Sequence, residues 1–201
     1  MKLSSATLLL LLFVPAGITT AAPMSFTGNL NGPNESPVNA SLGTGFTRVT
    51  IDDVLNTMRV EVQFSGLTSG VTASHIHVIN GPGDANTSDT LGPVATTTPT
   101  FTGFPSAVTF GTFDSTFDMT LAGSYRAGFI TDAGGIAAAR AALFAGIVDG
   151  RAYLNIHTTT SPSGEIRSFL TPEIPEPGTV GIVGAGLALL AGIRRRKQMA
   201  A

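Results

Sequence analysis

Met58-Arg59-Val60-Glu61-Val62-Gln63-Phe64 alternates without a break: apolar Met58, Val60, Val62 and Phe64 are separated by polar Arg59, Glu61 and Gln63. Successive side chains of a strand point to opposite faces, so period two means one buried and one wet face. That is the signature of an antiparallel sheet covered on one side. Upstream, residues 46–51 read as the neighbouring strand, joined through a turn near Asp52–Asn56. Further short strand candidates are 25–30, 72–79, 106–110, 116–121 and 125–130, separated by turn residues. Residues 93–105, rich in Thr and Pro, read as loop or sheet edge. Only one segment leaves this pattern. Ile136, Ala139, Arg140, Leu143, Phe144 and Ile147 recur at helical spacing and predict one short helix near 134–147, with Asp132 as its cap. A last hairpin, 151–159 with 165–171, turns through Ser161-Pro162-Ser163-Gly164. The expected fold is all-β: an antiparallel β-sandwich, Ig-like or superoxide-dismutase-like, occupying residues 23–174 with that one short helix.

Composition narrows the chemistry. The 201 residues hold no Cys, which excludes disulfides, thiolate metal sites and thiol nucleophiles. Residues 23–174 carry six Arg, no Lys and twelve acidic side chains, a net charge of −6. Nucleic acid is therefore not an expected partner, since binding it needs a basic footprint. No Gly-x-Ser-x-Gly, His-Glu-x-x-His or phosphate-binding loop occurs, and no catalytic residues are assigned. Asp84-Ala85-Asn86-Thr87-Ser88-Asp89 places oxygen ligands at alternate positions, but it lacks the Gly and Glu of a calcium loop and reads as a solvated polar loop.

Both ends read as addresses. Residues 1–22, with Lys2, an apolar run over 8–14 and Ala21-Ala22, read as a secretory signal peptide handled by signal peptidase and the secretion machinery; an uncleaved anchor is the alternative. At the other end, Pro175, Glu176 and Pro177 precede sixteen uncharged residues, 178–193, and then Arg194, Arg195, Arg196 and Lys197. At 1.5 Å rise per residue the uncharged stretch covers about 24 Å, a short transmembrane helix whose basic flank stays cytoplasmic. This order resembles the PEP-CTERM sorting signal of Gram-negative bacteria. The resemblance implies recognition by an exosortase-type protease, cleavage near 175–177, and delivery to the cell surface or the exopolysaccharide matrix.

The three histidines are placed by strand parity. His75 and His77 share one face of their strand, with Ile76 on the other. In the last hairpin, Leu154 and Ile156 share the core face, and Tyr153, Asn155 and His157 the opposite one. With Ile166 and Leu170 joining the core, His157 falls on the face of Glu165 and Arg167, which pair with each other as exposed ions. Two readings stay open. One is a mononuclear Cu or Zn site of His75, His77 and His157, with Glu165 as fourth ligand or orienting group. The other is purely structural: imidazoles hydrogen-bonded to backbone or to Glu165, tying two strands together.

Ala73-Ser74-His75-Ile76-His77, and Tyr153-Leu154-Asn155-Ile156-His157-Thr158 followed by Pro162 and Gly164-Glu165-Ile166-Arg167, resemble the paired motifs of the CHRD domain, first described in chordin. Leu30-Asn31-Gly32 with Glu35 and Pro37, and Phe64-Ser65-Gly66-Leu67, are similar to its opening. Ser168 stands where the family usually has Gly. The resemblance covers residues 25–171 and implies an extracellular all-β domain with no established activity. The expectation drawn from it is a non-enzymatic structural or interaction module with no cofactor beyond that Cu or Zn, meeting matrix polysaccharide or an envelope protein.

Overall fold

A computed structural model describes residues 22–84 and 90–173. Residues 1–21 of the expected signal peptide, the sorting signal with its apolar stretch, and all but the first residue of the Asp84–Asp89 loop lie outside the described residues. The elements are β1 (Met24–Asn31), β2 (Thr44–Asp52), β3 (Thr57–Ser65), β4 (Val71–Val78), β5 (Gly111–Asp118), α1 (Ala127–Ala133), α2 (Ile136–Val148), β6 (Ala152–Thr158), β7 (Ile166–Phe169) and β8 (Thr171–Pro172).

The strands form one curled antiparallel sheet in the order β4-β6-β7-β1-β2-β3-β5, with β8 pairing β1 beyond β7. The sheet folds around a single core, as in an open sandwich or half-barrel. Met58, Val60, Val62 and Phe64 of β3 are all buried in it, as their alternation requires. So are Val49 and Ile51 of β2, Ile76 of β4, and Leu154 and Ile156 of β6. The β2–β3 turn is set by Asp52, whose Oδ1 accepts from the backbone N–H of Val54 and Leu55.

Residues 93–109 run along the free edge of β4. The N–H of Ala95 donates to Ile76 O, that of Phe101 to Ser74 O and that of Val71 to Val108 O. Phe101 and Phe104 then stack against Phe113 of β5, so this Pro-rich run joins the two ends of the sheet. It also caps an edge that would otherwise present unpaired backbone.

Three local expectations are corrected. Residues 125–130 are not a strand: α1 begins at Ala127 and holds Phe129 in the core. A seven-residue helix with one buried aromatic has too few turns to show a period in sequence. The domain therefore has two short helices, broken at Gly134 and Gly135, whose φ angles are +89° and +131°. The N-cap of α2 is Gly135, with no side-chain hydrogen bond, and not Asp132. Residues 106–110 are irregular, with Phe110 facing solvent; the strand starts at Gly111, where Phe113 and Phe117 alternate with Thr112, Asp114 and Thr116.

Candidate functional site

Register builds the site. β4 pairs β6 with Ala73 opposite His157, His75 opposite Asn155 and His77 opposite Tyr153. β6 pairs β7 with Asn155 opposite Arg167 and Tyr153 opposite Phe169. One face of these three strands carries Ile76, Leu154, Ile156 and Ile166 into the core. The other carries His75, His77, Tyr153, Asn155, His157 and Arg167, as parity requires.

That polar face is not bare. His75 Nδ1 is 3.0 Å from Pro99 O, His77 Nδ1 is 2.7 Å from Gly92 O, and His157 Nδ1 is 2.9 Å from Pro162 O. A carbonyl can only accept, so all three Nδ1 atoms donate. A neutral imidazole with Nδ1–H presents a lone pair at Nε2. Those lone pairs converge: His75 Nε2 and His157 Nε2 stand 3.1 Å apart, and Asn155 Oδ1 is 3.1 Å from His157 Nε2. One ring nitrogen from each histidine lies within 4.8 Å of the others. His77 Nε2 is buried and has no hydrogen-bond partner.

Burial keeps the rings neutral. It pushes His75 down to about 3, helped by the neighbouring His77, and His77 down to about 4 despite the bond to Gly92. His157 is lowered by the same desolvation, opposed by its bond to Pro162. The ring of His77 stacks on Tyr153, with centroids 4.6 Å apart and planes 7° from parallel, which fixes its orientation.

Chemically, several acceptors face one point with no proton between them. Ligands about 2.0–2.1 Å from a tetrahedral ion stand about 3.3 Å apart, close to the His75–His157 separation. The widest separation, up to 4.8 Å, exceeds that spacing by about 1.5 Å. Carbonyl acceptors on the far nitrogens are the usual outer support of metal-ligating imidazoles.

Glu165 is not brought to this cluster. It is fully buried, and its carboxylate accepts from Ser41 Oγ (2.7 Å), Thr68 N (2.7 Å), Thr68 Oγ1 (2.9 Å) and Thr158 Oγ1 (2.6 Å). Burial pushes its pKa up, but the donors, Thr158 foremost, outweigh this and hold it below the usual carboxylate range. Nor does Glu165 pair with Arg167 as exposed ions. Arg167 is buried, lies 3.8 Å from Glu35, stacks over Tyr153 at 4.7 Å, and donates to the carbonyls of Asn34 and Thr90. Burial pushes Glu35 up to about 7 against the pull of Arg167. The β6–β7 ladder begins only at Ile166, so strand parity does not extend back to Glu165.

Sequence reasoning missed the carbonyls of Gly92 and Pro99, which no side chain announces. Gly92 left one trace, its place in a Gly-Pro pair. A Cβ there would lie 2.3 Å from Val78 O, so only glycine brings this carbonyl to His77.

The CHRD domain family model matches residues 26–170, and the PEP-CTERM protein-sorting motif matches residues 173–197. No curated protein and no solved structure matches the chain.

Proposed function

Because the chain belongs to the CHRD-domain family and carries a PEP-CTERM sorting motif, which marks it for exosortase processing and for export to the bacterial surface, we propose that it is an exported, metal-binding module of the envelope or matrix. The metal is a single Zn²⁺ or Cu²⁺ held by His75, His77 and His157. One observation carries this reading: every Nδ1 is tied to a carbonyl, which leaves the Nε2 lone pairs crowded together. With Glu165 engaged elsewhere, the fourth position falls to Asn155 Oδ1, the oxygen at hand, or to water or a partner's donor. Residues 178–193 hold the precursor in the inner membrane of a Gram-negative cell until the exosortase acts at Pro175, Glu176 and Pro177.

On this reading the module binds an ion through its imidazoles rather than turning over a substrate. A second reading, a metal-free scaffold that meets matrix polysaccharide or an envelope protein, is favoured by the packing of the rings: His77 stacks on Tyr153, His75 tilts against His77 and His157, and each Nδ1 is bonded to backbone. Elemental analysis of protein purified from its native envelope separates the two. The metal reading expects one equivalent of Zn or Cu, lost in His157→Ala. Absence of stoichiometric metal, with no uptake of added Zn²⁺ or Cu²⁺, leaves the scaffold.

A further inference from the structure

Both chain ends leave the domain at one place. The backbone N–H of Glu173 donates to Ser25 O, and Phe26 pairs with Pro172. The segment read as a signal peptide ends directly before β1. The apolar stretch of the sorting motif begins at Gly178, five residues after Glu173. Five residues span at most about 18 Å when fully extended, less than the ~27 Å length of an eight-residue strand such as β1. A span starting at 178 therefore leaves this end of the domain, and no other, against the bilayer.

The surface at that end carries several exposed apolar side chains. Register puts the β2–β3 turn beside it, since Met24 pairs with Ile51 and Thr57 with Asp118. Met24, Val54, Leu55, Leu121 and Val148 are all exposed there. A groove of about 470 Å³ runs between β1, β8 and the end of α2, lined by Pro23, Met24, Val148 and Pro172. The acidic groups of this end have partners: Asp52 and Asp118 accept from backbone N–H, exposed Asp53 lies 3.9 Å from Arg140, Asp149 pairs with Arg151 and Glu173 with Arg48. The opposite end also exposes Val38, Leu42, Val108 and Phe110, so it is the departing chain, not apolarity alone, that selects between the ends.

We infer that this end is a membrane-facing surface whose occupant is the interfacial layer of a neutral phospholipid bilayer, held against it before processing by the tether of residues 174–177. The contact is apolar and shallow, so zwitterionic lipid suffices and salt does not release it. The inference rests on residues 178–193 anchoring the precursor. It is independent of the metal site, which lies toward the other end of β1, in the row where Arg167 pairs with Asn31.

The chain has no Cys, so single-cysteine labelling is unambiguous. The full-length variants Leu55→Cys, Val148→Cys and, as control, Phe110→Cys are labelled with an environment-sensitive fluorophore and reconstituted into phosphatidylcholine vesicles containing a spin-labelled quencher lipid. All three positions are exposed (69%, 46% and 70%), so labelling leaves the core untouched. The expected result is at least twofold stronger quenching at positions 55 and 148 than at 110, unchanged in 0.5 M salt (about a 4 Å Debye length). Vesicles that float with bound protein but show equal quenching at all three positions overturn the inference and leave the anchor standing. Protein that fails to float overturns the anchor and the inference together.

Discussion

At the scale of single residues, the two most consequential polar groups act on opposite faces of one hairpin. Glu165 gathers four donors, three from hydroxyls or backbone of other segments. Glu165→Ala leaves them without an acceptor, and chemical denaturation is expected to show a loss of about 2–4 kcal/mol. The histidines give a pH signature. Their folded pKa values lie below the ordinary 6.5, so the unfolded chain binds more protons on acidification. The stability they contribute is full above about pH 6.5 and is lost as pH falls towards the folded values, about 4 for His77 and about 3 for His75. Metal-free wild type is expected to lose stability more steeply than His75→Gln between pH 6.5 and 4, measured by melts across that range. Equal slopes would show that His75 titrates as in an unfolded chain. The same neutrality predicts that Zn²⁺ or Cu²⁺ is still taken up at pH 5, where an ordinary exposed imidazole is mostly protonated.

At the scale of elements, β4 and β6 fix which side chains meet, and irregular backbone at Gly92, Pro99 and Pro162 fixes how they point. The parity of both strands was legible: Ile76, Leu154, Ile156 and Ile166 pack in the core, and the three histidines share the outer face. The carbonyls that select the tautomer were not, because backbone acceptors carry no sequence mark. Gly92 is where this layer is most sensitive. Gly92→Ala meets Val78 backbone at 2.3 Å, so the loop must shift. The expected cost is about 1–3 kcal/mol, with metal affinity reduced even though every ligand is retained; titration calorimetry beside a denaturation curve reads both. Ser168 shows the same coupling between neighbouring strands. A Cβ at Gly28 of β1 would stand 2.5 Å from Ser168 Oγ, so the bulkier residue at 168 is accommodated because its neighbour is glycine. The helices were half legible: α2 announced itself by a thirteen-residue pattern, whereas α1 is only seven residues long.

At the scale of the whole molecule, the core and the candidate site occupy opposite faces of the same sheet. The apolar core is therefore built without the histidines, and an ion bound to them would add stability by mass action. Saturation at a hundredfold excess over Kd contributes about 2.7 kcal/mol. For a domain of this size that raises Tm by roughly 5–10 °C, reversed by a chelator. A Tm indifferent to Zn²⁺ and Cu²⁺ would count against the site. Sorting is tested separately: replacing Pro175-Glu176-Pro177 by Ala-Ala-Ala is expected to leave full-length protein in the membrane fraction, whereas normal release would argue against exosortase handling at that motif.

The amino-acid order alone settled the β class, the buried faces, the three histidines as a group and the address at the C-terminus. Each of these is a local or periodic property, readable from neighbours in the chain. Only the folded chain decided that Glu165 turns toward Ser41, Thr68 and Thr158, that Arg167 meets Glu35, and that the far nitrogens of the imidazoles are held by carbonyls of a Pro-rich edge. Apart from Thr158, seven residues before Glu165, those partners lie at least 15 residues apart in sequence. Their meeting depends on how the sheet curls and where irregular backbone crosses it, and no period or propensity encodes that.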